Sequence, residues 1–139
     1  MIGDSISALK VAIVTALEAD SAFMALITGL FDGQAPTNQP FNYVVMGHAT
    51  MLPNNTMGKG GRECTIEFDI YTRGIGGSTL ANAIADNLLR ALVETTLTLS
   101  TTPAQACSYV DLDNYSDEQM SDGLTYHAFP RLLFRTFEL

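Results

Sequence analysis

A chain of 139 residues is long enough for one domain that buries about 65 to 70% of its unfolded surface without metal or disulfide staples. Fifteen acidic residues against seven basic ones give a net charge of −8, and with no basic run this excludes a surface built to grip the phosphate backbone of free DNA or RNA. Hydrophobic residues make up 47% and charged residues only 16%, so part of the apolar surface is expected to meet a partner.

From Ser5 to about Asp20, the residues Ile6, Leu9, Ile13 and Leu17 recur at three- and four-residue spacing and predict one apolar stripe on a helix. Asp20 or Ser21 caps a short second helix, SAFMALIT, which Gly29 ends. FDGQAPTNQP then reads as a polar loop leading into FNYVVMG, a buried strand. MLPNNTMGKGG is too rich in Gly, Asn and Pro to hold regular structure and predicts a long loop between two strands. Its apolar Met51, Leu52 and Met57, with Lys59 beside them, are candidate assembly residues, because methionine adapts well to an irregular partner surface.

Cys64, Ile66, Phe68 and Ile70 alternate with Glu63, Thr65, Glu67 and Asp69, which predicts a strand with one core face and one wet face. The glycine turn of TRGIGGSTLANAIAD follows, with Ser78 as the helix cap. Leu80, Ala83, Ile84, Asn87, Leu88, Ala91 and Leu92 then fall on one face of an amphipathic helix. TLTLS and ACSYVDLDNY read as strands. LTYHAFPRLLFRTFEL reads as a last strand with Leu124, Tyr126, Ala128, Leu132 and Phe134 on one parity and Phe129, Leu133 and Phe137 on the other, and Pro130 marks an edge or bulge. The order predicts an α+β fold, a mainly antiparallel sheet packed against two or three helices, in a single compact domain over residues 1–139.

The chemistry written into the chain is sparse. A strand, a glycine-rich loop and a helix start can cradle a phosphate, but a P-loop counted from Gly74 needs glycine and lysine where Thr79 and Leu80 stand. The dinucleotide pattern fails at Thr79 as well. The acidic stretch DLDNYSDEQMSDG lacks the calcium-loop residues at Tyr115, Ser116 and Asp122 and reads as a solvated hairpin connection. His48 and His127 have no zinc-ligand spacing, and Cys64 and Cys107 fit neither a zinc, redox nor nucleophile context, so both thiols are expected reduced in a core or sheet. No catalytic residue, cofactor or metal is expected. With no long apolar run and no basic-then-apolar start, neither a membrane span nor a standard secretion signal is expected.

The succession of a helix with DSAFMAL, a proline-bearing loop, FNYVVMG, a Gly/Asn loop, IEFDIY, a glycine turn, LANAIADNLLRAL and DGLTYHAFPRLLFR resembles the tail-completion proteins of long-tailed bacteriophages, also called tail terminator or tail-to-head joining proteins. The resemblance runs from about Leu9 to Phe134; it carries nothing over for residues 51–61 and 111–122. It implies a structural subunit of a ring, commonly sixfold, at the head-proximal end of the tail tube. Its partners would be further copies of itself, the tail tube protein and the head-side connector or neck protein, with DNA passing through the lumen without specific binding. The expected location is the virion, after synthesis in the host cytoplasm. Two rival readings are a soluble ligand-binding or regulatory domain using the 74–78 turn, and a hydrolase built on Cys64 or Cys107 with His48 or His127.

Overall fold

The computed structural model describes residues 2–53, 61–74, 76–93, 97–99 and 105–138. Helix α1 (Ile2–Glu18) turns into α2 (Ser21–Met24), and strands β1 (Gly29–Asp32), β2 (Tyr43–Pro53) and β3 (Gly61–Arg73) lead to helix α3 (Gly77–Val93). Strands β4 (Leu97–Leu99), β5 (Gln105–Asn114), β6 (Asp117–Gln119), β7 (Thr125–Ala128) and β8 (Arg131–Glu138) complete the chain. The fold is α+β, a mostly antiparallel, curled sheet with helices against one face.

Strand order is β1-β2-β3-β8-β5-β4, and every pairing is antiparallel except β1 with β2. Strand β3 has β2 on one side along most of its length. On its other side β8 pairs with Gly61 to Glu67 and β7 pairs with Ile70 to Arg73. β7 and β8 therefore lie end to end, and Pro130 is the joint. Proline has no N–H to give the ladder, and here its carbonyl accepts from Phe68 N at 2.9 Å while Phe129 N turns aside to Ser116 O. The bulge expected at Pro130 thus divides the predicted last strand in two. Leu124 falls before β7 and is exposed, and the parity expected of it is lost.

The alternation in β3 sorts its side chains as expected. Cys64, Ile66, Phe68 and Ile70 are buried against Leu9, Ile13 and Leu17 of α1 and Ala81, Ile84, Leu88 and Leu92 of α3. Thr72 continues the buried row, and its hydroxyl donates to Gly77 O at 2.8 Å, tying strand end to helix start. Each fully buried Leu, Ile or Phe of this row contributes about 1.5 to 3 kcal/mol relative to exposure. Asp20 caps α2 as expected, accepting from Phe23 N at 2.9 Å, and Arg90 of α3 reaches the same oxygen at 2.9 Å.

Three boundaries differ from the sequence expectation. Helix α2 stops at Met24, and Gly29 opens strand β1, where Phe31 and Asp32 pair with Val45 and Met46 rather than lying in a loop. Met51 to Pro53 belong to β2 and Gly61 to β3, because the β2–β3 ladder holds in register to Pro53 opposite Arg62. In the acidic segment β5 runs to Asn114, as the strand read from ACSYVDLDNY implies, but Asp117 to Gln119 form a further strand, β6, inside the expected connection.

Both cysteines are free and buried, and burial pushes each thiol up to about 11. A thiol reagent at pH 8 is therefore expected to label the folded protein far more slowly than the denatured chain, since only the thiolate reacts. Equal rates measured by absorbance in buffer and in denaturant would show that the strands carrying Cys64 and Cys107 are not packed this way.

Candidate functional site

The helices cover one face of the sheet, and the opposite face is a candidate interaction surface. Its members come from the second parity of each strand, so residues far apart in sequence fall into cross-strand rows. Tyr43 of β2, Tyr71 of β3 and His127 of β7 stand directly opposite one another. Tyr43 and Tyr71 stack with centroids 5.2 Å apart, and Tyr71 and His127 stack at 4.6 Å with planes within 5°. Phe31, Phe41 and Phe129 extend the row at 5.0 to 6.4 Å, and the Arg73 guanidinium sits 4.4 Å over the Phe41 ring.

Further along β2 from this row lies a bulge, Gly47 and His48 standing between the Met46–Phe68 and Ala49–Ile66 pairs. A Cβ on Gly47 would come within 2.7 Å of Asp69 Oδ2, so the missing side chain leaves room for that carboxylate. Asp69 Oδ1 in turn lies 2.8 Å from His127 Nε2, and Glu118 Oε1 lies 3.6 Å from His127 Nδ1. The hydrogen bond to Asp69, with Glu118 beyond it, raises the His127 pKa above the ordinary 6.5 in spite of partial burial.

The far end of the same face is ionic and apolar by turns. Leu52, Glu63, Arg135 and Tyr109 form a row across β2, β3, β8 and β5, with Arg135 stacked on Tyr109 at 4.8 Å. Arg131 holds Asp113 at 2.7 Å. Leu52, Tyr109 and Phe137 are exposed. Such half-exposed ion pairs contribute about 0 to 1 kcal/mol each and act mainly in setting which surfaces match.

Of the residues singled out by sequence, Met51 faces the core from its position opposite Cys64, and Leu52 points to the open face at 63% exposure. Met57 and Lys59 lie outside the described residues. Ser78 is the second residue of α3: Leu80 N donates to Gly76 O at 2.9 Å, so Gly76 holds the capping position and Ser78 stands inside the first turn. The sequence reading missed the aromatic row because nothing in one strand states its register against another. The signal available was the parity of Tyr43, Tyr71 and His127, each beside a core residue.

The glycine turn borders a recess of about 240 Å³ with Gly74, Gly76, Ser78, Gln119, Leu124 and Tyr126 in its lining. No lysine or arginine belongs to that lining, and Arg73 beside it is committed to Asp122, Thr125 and Phe41. Gly74 and Gly76 have φ of +100° and +79°, which accounts for glycine at both without a ligand. The nearby acids serve the turn: Asp122 accepts from Thr125 N, Thr125 Oγ1 and Leu124 N, which bring its pKa down to about 2. Among the described residues no group of three or more His, Cys, Asp or Glu could hold a metal, and no helix is long and apolar enough to cross a membrane.

The family model for tail completion protein gp17 matches residues 11–136. The chain belongs to this family of phage tail proteins. Tail completion is a structural task within the virion. Two solved structures share the fold of this tail completion protein. A chain from the virion of a native gene transfer agent particle superposes with a TM-score of 0.81 at 20% identity, covering 96% of this chain and 97% of that one. The bacteriophage SPP1 gp17 protein superposes with a TM-score of 0.60 at 20% identity over 96% and 91%. No curated protein sequence matches the chain.

Gly76→Ala is expected to cost about 1 to 2 kcal/mol, since a Cβ is strained at positive φ. Ser78→Ala is expected to change stability by less than about 0.5 kcal/mol, because it removes no cap. Denaturant unfolding of the two variants checks both; a loss of about 1 kcal/mol or more at Ser78 would restore it as the capping residue.

Proposed function

We propose that the protein forms a ring, sixfold, that closes the head-proximal end of the tail tube and presents the joining surface to the head-side connector or neck protein. Membership of the tail completion family supports the place in the virion. The observation that carries the assembly reading is the β2–β3 hairpin. It is paired to Pro53 and Arg62, and residues 54–60 then supply more chain than the two to five residues that close a hairpin. We read this surplus chain, which carries Met57 and Lys59, as the element that contacts a neighbouring subunit or the tube.

A ring needs two different faces that match, one on each side of the subunit. The open sheet face is one. The outward side of α1 is suited to be another, because Val11 lies 66% exposed there among Ser7, Thr15 and Glu18. With a net charge of −8, the subunits offer few cations to DNA sliding through the lumen.

Replacing residues 54–60 by Asn-Gly closes the same hairpin with a three-residue loop, Gly61 being its third residue, and leaves the core untouched. The melting temperature is expected to stay within a few degrees of the parent, while ring formation or tail completion is lost. Phages carrying the variant should then show tails of abnormal length or tails without heads in electron micrographs. Normal virions from the shortened hairpin would end the proposal for this segment.

A further inference from the structure

His127 is placed where its two ring nitrogens face two carboxylates from different strands, Asp69 of β3 at 2.8 Å and Glu118 of β6 at 3.6 Å. A carboxylate only accepts, and a neutral imidazole has a single N–H to give. Both contacts are attractive together only when the ring carries two protons. We propose that His127 is a proton-dependent clasp: its imidazolium fastens the acidic strand β6 to the sheet through Glu118 while anchored on Asp69, and it releases Glu118 on losing a proton.

The order of release follows from the distances. The shorter contact keeps its proton, so the neutral ring still donates from Nε2 to Asp69, and its bare Nδ1 then faces the Glu118 carboxylate with nothing to share. The other titratable groups facing the ring are Tyr71 of β3, stacked on it, and Tyr43 of β2 behind that. Burial first, and Asp69 next, push the Tyr71 hydroxyl up, so it stays neutral throughout. Arg73, further along β3, is held by Asp122 and Thr125.

The strap so fastened is weakly held otherwise. All three residues of β6 are exposed, and β7 is the only strand it pairs with among the described residues. Its release would uncover the edge of β7 and the end of the aromatic row. Because the folded-state pKa of His127 is raised, the clasp's contribution to stability is complete below the ordinary histidine value of 6.5 and disappears as pH rises through the folded value. The clasp does not rest on the proposed assembly of subunits.

The test is a proton NMR titration of the two histidine rings, assigned with a His48→Asn variant, together with amide-exchange protection factors for residues 117–119. His127 is expected to titrate above the ordinary histidine value. Protection at 117–119 is expected to fall about two- to fivefold as pH passes that midpoint, the range given by one half-exposed ion pair. In Glu118→Gln, an isosteric change at an exposed position, the amide can donate to the neutral ring, so the midpoint should fall and the pH-dependent loss of protection should vanish. A midpoint at or below the ordinary value, a midpoint unmoved in Glu118→Gln, or protection that stays level across it would each overturn the clasp.

Discussion

Strand β3 constrains everything around it. It is paired on both sides, so its two parities have no freedom: one must pack under α1 and α3, and the other must form the open face. A slip of one residue would move Phe68 and Ile70 into solvent and Asp69 and Tyr71 into the core, which the desolvation cost of a charged carboxylate forbids. The same register places Thr72 under the start of α3 and Asp69 beside His127. Core, helix start and open face are therefore consequences of one alignment.

The break at Pro130 gives that strand two neighbours in place of one. Because β7 and β8 lie end to end, the half of β3 nearest the glycine turn meets the short β7, with β6 beyond it, and the other half meets the long β8, with β5 beyond it. The two halves of the open face differ in character accordingly. Near the turn it is aromatic and rests on a histidine between carboxylates; near the hairpin end it is a mosaic of ion pairs and exposed Leu52, Tyr109 and Phe137. A subunit that must match different surfaces at different ends needs such a division, since mismatched charge rejects a wrong partner more effectively than apolar area does.

The fold is retained at about one identical residue in five with the gene transfer agent chain and with the SPP1 gp17 protein. Many sequences satisfy one pattern of burial and turns as long as volume and polarity hold, which is why a fold tolerates that much change. Residues on an assembly surface answer to the partners of one particle and change with them. The work of a structural subunit is done by shape, register and charge distribution over an area.

The sequence by itself determined whatever depends on local periodicity. The α1 stripe of Leu9, Ile13 and Leu17, the alternation of Cys64 to Ile70, the α3 face from Ile84 to Leu92, the Asp20 cap and the bulge at Pro130 all rest on neighbours within a few residues. The tail-completion resemblance was legible for the same reason, being a succession of such elements. Tertiary structure alone decided the rest. Pairing with β2 made a strand of Gly29–Asp32, ladder register carried Met51 and Leu52 into β2, and the Gly76 carbonyl moved the start of α3 ahead of Ser78. The meeting of Asp69, Glu118 and His127 needs three strands aligned at once, and the free energy of that alignment comes from burial on the opposite face. No short stretch of sequence contains it.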